Sequence, residues 1–288
     1  MVEGYEPYKG KQALKDIEAR RKEGEKFGLE LPDITTEAMR KEPLVDKPVD
    51  KEGLKGIIAS SPFRLGVGRA GPRPKLRTML QMRADHGATQ DSLRYILPAE
   101  EVKRLGLVDV GETVTEGDLE TYLRRPDLGR KFSDAAKKIV MEKGKKAQVQ
   151  IMVSNGLSGY AVERYAGDVL KGLMDGLKAA GISVGVPFYV NRGRVGLLND
   201  LGSLLDADVS VVLIGERPGL IISDALSIYS GYMQRWEPLT TDANRDNICM
   251  ISKRGKDPME AAAEGVGLIK DYLKYKTSGV DLAQKKRQ

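Results

Sequence analysis

The chain has 288 residues, 41% apolar and 31% charged, enough to bury a sizeable core. No apolar run approaches the roughly 20 residues that span a bilayer, and the polar opening residues do not read as a secretory signal. One cysteine, Cys249, and one histidine, His86, exclude an internal disulfide framework and a metal site built from several Cys or His ligands. A reducing, cytoplasmic setting without a membrane is expected.

The net charge is +6, unevenly spread. Residues 1–60 hold 12 basic and 13 acidic side chains, whereas Arg64, Arg69, Arg73, Lys75, Arg77 and Arg83 follow with no acidic residue among them. Such a run suits nucleic acid, phosphate or an acidic partner surface. It contains no aromatic residue to stack on bases, so nucleic acid is the weaker reading.

In chain order, residues 1–60 read as an arm, partly helical over 12–26 and then extended where Pro32, Pro43 and Pro48 recur. Residues 61–145 read as mainly helical. One helix starts near Lys75 and runs to about Ala84, and a short segment follows from Asp91 to Ile96. Further helices are predicted over 98–105, 115–123 with Thr115 as cap, and 127–143 with Ser133 as an alternative cap. From 146 to 288 short β-branched runs alternate with longer helical ones. Strands are predicted over 148–153, 183–190, 209–214 and 247–251, and helices over 160–180, 196–205, 223–229 and 257–275. The fold class is therefore α/β: an open, mostly parallel sheet with helices on both faces, preceded by a helical N-terminal region.

Ligands of such sheets sit beyond the carboxyl ends of the strands. Those ends lead into Ser154-Asn155-Gly156-Leu157-Ser158, Asn191-Arg192-Gly193-Arg194-Val195 and Gly215-Glu216-Arg217-Pro218-Gly219. All three loops are polar and contain glycine, which places the site there. Glu216 is positioned to accept hydrogen bonds from ligand amides, or to pair with a neighbouring arginine.

Other motifs have plainer readings. Gly66-Val67-Gly68-Arg69-Ala70-Gly71 matches a dinucleotide fingerprint, but Pro72 and Pro74 forbid the helix that must follow, so a turn presenting Arg69 and Arg73 is expected. Gly156-Leu157-Ser158-Gly159-Tyr160 approaches a nucleophile elbow, yet Ser158 reads better as a helix cap. His86 reads as a hydrogen-bonded helix-end residue. Cys249 falls in an apolar run and reads as a small core residue, with ligand contact left open.

Several segments together carry a family resemblance. Gly68-Arg69-Ala70-Gly71-Pro72-Arg73-Pro74 and Arg83-Ala84-Asp85-His86 come first. Arg125-Pro126-Asp127-Leu128-Gly129-Arg130, Ser154-Asn155-Gly156-Leu157-Ser158, Gly215-Glu216-Arg217-Pro218-Gly219-Leu220 and Glu260-Ala261-Ala262-Ala263 follow in order. From about Arg64 to Asp281 the chain resembles the small-subunit family of ethanolamine ammonia-lyase.

The resemblance implies a Rossmann-like fold over 146–288 and a two-subunit, adenosylcobalamin-dependent carbon–nitrogen lyase that deaminates ethanolamine to acetaldehyde and ammonia by a radical route. It implies a large β/α-barrel subunit that holds the substrate. The cofactor, in base-on form, lies between the subunits, which agrees with the lack of an Asp-x-His-x-x-Gly pattern at His86. Carried over by motif, the cofactor contacts of this chain are Val195, Glu216 and Cys249, with no catalytic or metal-ligating residue. Asn155 stands where the family's first loop usually has aspartate. The role of residues 1–60 and packaging in a bacterial microcompartment stay open. So do two other readings, a stand-alone cobalamin- or nucleotide-binding module and a basic RNA-interacting protein.

Overall fold

A computed structural model describes residues 36–116 and 118–287, with residues 19, 22 and 34. The helix predicted over 12–26 lies almost wholly outside the described residues. The chain divides into two compact units, residues 1–81 and 82–288.

In the first unit, α1 (Glu37–Arg40) and α2 (Lys51–Ala59) precede a two-stranded hairpin of β1 (Arg69–Ala70) and β2 (Arg73–Pro74). Its turn is Gly71-Pro72, with Gly71 at φ +61°, the left-handed start that glycine supplies to a tight hairpin. The fingerprint-like glycines thus make a turn that exposes Arg69 and Arg73, as the prolines required. Lys75 and Arg77 pair with Asp46 and Glu42, so part of the basic run is neutralised within the unit.

Helix α3 (Leu76–Arg94) crosses the division. It is one helix of 19 residues, not two segments broken before Asp91. Thr78, Gln81, Asp85, Thr89 and Ser92 are buried, while Leu76, Met79, Leu80 and Met82 are exposed. This inverted polarity conceals that the helix predicted from near Lys75 to about Ala84 runs on to Arg94. His86 lies exposed within the helix, not at its end.

In the second unit, α4 (Ala99–Arg104), α5 (Leu119–Arg124) and α6 (Asp134–Lys143) precede the main alternation. Asp118, not Thr115, caps α5, accepting from the Thr121 amide at 2.9 Å. Ser133 caps α6, and Asp127 opens only a short turn at Leu128–Arg130.

The sheet has six strands in the order β3-β5-β4-β6-β7-β8. They are β3 (Val108–Glu112), β4 (Val149–Ser154), β5 (Phe188–Asn191), β6 (Val209–Gly215), β7 (Leu226–Tyr232) and β8 (Asp246–Ile251). The first four in spatial order are parallel. β7 is antiparallel to both β6 and β8, so β8 runs in the sense of β6.

β4 and β6 are buried at every position, the signature of strands covered on both faces. Val149, Ile151, Val153, Val211 and Leu213 pack on one side with α7 (Gly159–Ala161), the π-helical turn Val162–Ala166, α8 (Gly167–Ala179) and α10 (Pro258–Tyr275). Met152, Val212 and Ile214 pack on the other with α6 and α9 (Leu197–Leu205). The chain closes with α11 (Gly279–Lys285). The open, mostly parallel α/β sheet with helices on both faces is as expected. Among the described residues no helix is long and apolar enough to cross a membrane.

Two strands fall where the sequence predicts otherwise. Residues 223–229 were expected as helix, but β7 takes Leu226–Tyr232. Leu226 and Ile228 face one core and Tyr229 the other, a period of two that a seven-residue stretch states only weakly. β3 lies in the region expected to be helical, where Gly106 and Gly111 flank or interrupt an alternation of Val108 and Val110. β5 is shorter than expected, because Pro187 has no amide to give to a ladder.

Candidate functional site

Three loops beyond the strand ends are tied to one another by their own polar groups. Asn155 Oδ1 accepts the Arg192 amide at 2.7 Å, and Ser154 Oγ accepts the Gly193 amide at 2.9 Å. The Leu157 amide donates to Gly215 O at 3.1 Å. Gly215 lies against the first loop so closely that a Cβ there would sit 2.0 Å from Ser158 O and 2.6 Å from Asn155 O. Ser158 caps the following helix through the Ala161 amide and is fully buried, in keeping with the cap reading. Asn155 therefore spends its acceptor inside the protein, in a bond that an aspartate could accept equally well.

The third loop reaches the sheet edge through Glu216. Its Oε1 accepts from Ser227 Oγ and, at 2.8 Å, from the Met250 amide. Oε2 has no partner among the described residues. Glu216 is thus not paired with Arg217; it is held by β7 and β8. The Met250 amide is free for this bond because β8 bulges there. Leu226 faces Ile251 and Ile228 faces Ile248, so Cys249 and Met250 together oppose Ser227, and Met250 has φ +60°.

The expectation for Cys249 as a core residue is corrected. It is exposed, not a core residue, while Ile248 and Ile251 on either side keep the inward positions. Asn247 and Cys249 flank the inward Ile248 and share the opposite, exposed face of this edge strand, whereas the bulge acts at Met250 and lets Ile251 turn inward.

Between these elements lies an open cleft of about 380 Å³ whose walls carry Val195, Glu216 and Cys249 together. Ile214 adds apolar surface, and Tyr122, Arg194 and Arg217 line the cleft as well. The residues missed from sequence are Tyr122, Arg194 and Arg217. Arg194 and Arg217 stand in the named loops. Tyr122 left no local signal, since it reaches the site only through the packing of α5.

Tyr122 and Arg194 form a unit. The Arg194 guanidinium lies 4.1 Å from the Tyr122 ring centre and donates to Tyr122 O at 2.8 Å. The phenol donates to Gly193 O at 2.9 Å. Burial pushes the Tyr122 phenol up to about 12, against the pull of Arg194 and Arg192. Burial likewise holds Arg194 below its usual value, with Arg217 and Arg130 lowering it further and Tyr122 opposing. The cleft can therefore offer a fixed carboxylate acceptor, an apolar wall and a cationic rim. Among the described residues no group of three or more His, Cys, Asp and Glu could hold a metal ion.

The family model for the ethanolamine ammonia-lyase light chain matches residues 51–283. The ethanolamine ammonia-lyase small subunit of Clostridium perfringens is 41% identical over 253 residues, 88% of this chain and 84% of the relative. The Clostridium tetani small subunit is 39% identical over 252 residues, with the same coverage. That of Listeria monocytogenes is 37% identical over 255 residues, 88% of this chain and 85% of the relative. With its strand-end loops and the segments that run through them inside the matched region, the chain belongs to the ethanolamine ammonia-lyase small-subunit family.

Proposed function

We propose that this chain is the small subunit of a two-subunit ethanolamine ammonia-lyase and clamps adenosylcobalamin against the large subunit through the segment 146–288. The observation that carries the reading is the cleft in which Val195, the held carboxylate of Glu216 and Cys249 share one wall system.

The residues present fit one edge of such a cofactor. Corrin side chains end in amides, and Glu216 Oε2 is an acceptor whose sister oxygen is already fixed by two donors. Val195 and Ile214 offer apolar contact to the ring periphery. A cobalamin is far larger than a cleft of about 380 Å³, so most of it must be covered by another surface. A large subunit that holds ethanolamine supplies that cover in this reading, and the exposed Leu76, Met79, Leu80 and Met82 of α3 suit protein contact of the same kind.

When bound, adenosylcobalamin supplies the radical chemistry of deamination to acetaldehyde and ammonia. This chain's part is to bind and orient: Glu216 fixes one edge, and the apolar wall keeps water from it. No acid, base or nucleophile is assigned to it.

The test is acetaldehyde release from ethanolamine and adenosylcobalamin, using a family large subunit with and without this chain. Activity that requires both proteins supports the reading. No activity from a co-purified complex would overturn it, and tight cobalamin binding by this chain alone would favour a stand-alone binding module.

A further inference from the structure

The cleft holds more positive charge than its own carboxylate uses. Arg194 and Arg217 both line it, and Glu216 is the one carboxylate among its lining residues. That carboxylate is taken by Ser227 and the Met250 amide, not by either arginine. Nearby arginines are treated differently: Arg124 pairs with Glu120 and Arg125 with Asp127. Neither Arg194 nor Arg217 pairs with a carboxylate among the described residues. Arg194 is locked in place by the Tyr122 ring and by its bond to Tyr122 O, yet its buried Nε has no partner. Arg217 is exposed at the opposite loop and free to close on a ligand.

Cations held together without counterions mark a place where an anion is received. Arg194 is destabilised as a cation first by burial and then by the charges of Arg217 and Arg130. An anionic ligand group would relieve both costs, and a guanidinium fork matches phosphate oxygens.

We propose that Arg194 and Arg217 form an anion subsite in this cleft that receives the phosphodiester of the cofactor's nucleotide loop. The proposal rests on the cobalamin reading above and deepens it. It divides the cleft by chemistry: Glu216 takes neutral amide donors at one side, and the two arginines take the single negative group the cofactor carries.

The test compares two ligands on the assembled complex of this chain with a family large subunit. Adenosylcobalamin carries the phosphodiester and adenosylcobinamide lacks it. Both are titrated by their absorbance changes, with wild-type chain and with Arg217→Gln, whose exposed side chain makes no hydrogen bond or ion pair among the described residues. Arg217→Gln should weaken adenosylcobalamin about tenfold, the loss of one charge-assisted bond, and leave adenosylcobinamide unchanged. Arg217→Lys should recover part of the loss, and raised salt should shrink the wild-type preference for adenosylcobalamin. An equal loss for both ligands, or no loss for either, would overturn the subsite while leaving the cobalamin reading standing. A wild-type complex that binds neither ligand would overturn both.

Discussion

The sheet is built by two different rules on either side of β6. On one side β3, β5, β4 and β6 run parallel, and β4 and β6 are buried throughout. On the other, β7 folds straight back along β6, and β8 forms an edge with Asn247, Cys249 and Met250 exposed. The parallel side gives a fixed platform whose strand ends carry Asn155, Arg194 and Val195. The antiparallel side gives an exposed edge that presents a thiol on its outer face and bulges to free an amide. Glu216 stands where the two meet, leaving the last parallel strand and gripping the edge. The difference teaches that the candidate site belongs to the seam: one rule supplies rigidity, the other the irregularity that shapes a wall.

The comparison can be broken most directly at the joint between the loops. Gly215→Ala forces a Cβ to within 2.0 Å of Ser158 O and 2.6 Å of Asn155 O, both backbone atoms. Neither can swing away, so the chain should lose about 4 kcal/mol or fail to fold, read by urea denaturation. A loss below about 1 kcal/mol would mean the joint is slack.

Next in size is a matched pair of core truncations. Leu213→Ala in β6 should cost about 4 kcal/mol, because neighbours on both sides hold the cavity open. Ile248→Ala in β8 should cost about 2 kcal/mol, because an edge strand collapses more easily into the space. Equal costs would contradict the division into platform and edge.

Smaller still is the first loop. Asn155→Leu removes the acceptor of the buried Arg192 amide and should cost about 2 kcal/mol. Asn155→Asp keeps that acceptor and should stay within about 1 kcal/mol of the parent. A larger loss for the aspartate than for the leucine would show that the neutral side chain, not the bond, is what the loop requires.

The smallest effect belongs to Cys249. Its exposure predicts that Cys249→Ser changes stability by less than about 0.5 kcal/mol, and that a thiol reagent titrates it in the folded free chain. A thiol that reacts only after denaturation would return Cys249 to the core.

How far the sequence discloses this arrangement does not follow the seam: β8 at the far edge forms where a strand is predicted, whereas β3 on the parallel side lies in a stretch predicted as helix. The two central strands were readable: β4 and β6 are rich in Val, Ile and Leu, interrupted only by Gln150 and Ser210 before their ends, and the glycine-bearing polar loops after them mark the strand ends by composition. Val195 and Glu216 could be placed in those loops without coordinates. β7 was not readable, since seven residues alternating Leu226, Ile228 and Ser230 against Ser227 and Tyr229 barely separate strand from helix. The exposure of Cys249 was not readable either. It depends on β8 being the edge strand, whose face carrying Asn247 and Cys249 is left exposed, an order that only the tertiary fold sets. The start of helix α3 was readable but its full length was not, because its buried positions are polar and the usual periodic signal points outward.

The account's central claim is that Glu216, held at this seam, fixes the cofactor edge. The most direct measurement is an absorbance titration of cobalamin into the complex of this chain with a family large subunit, comparing the parent chain with Glu216→Ala. The account predicts about tenfold weaker binding for the variant in a complex that still assembles. Identical affinity in an intact complex would contradict it and remove Glu216 from the site.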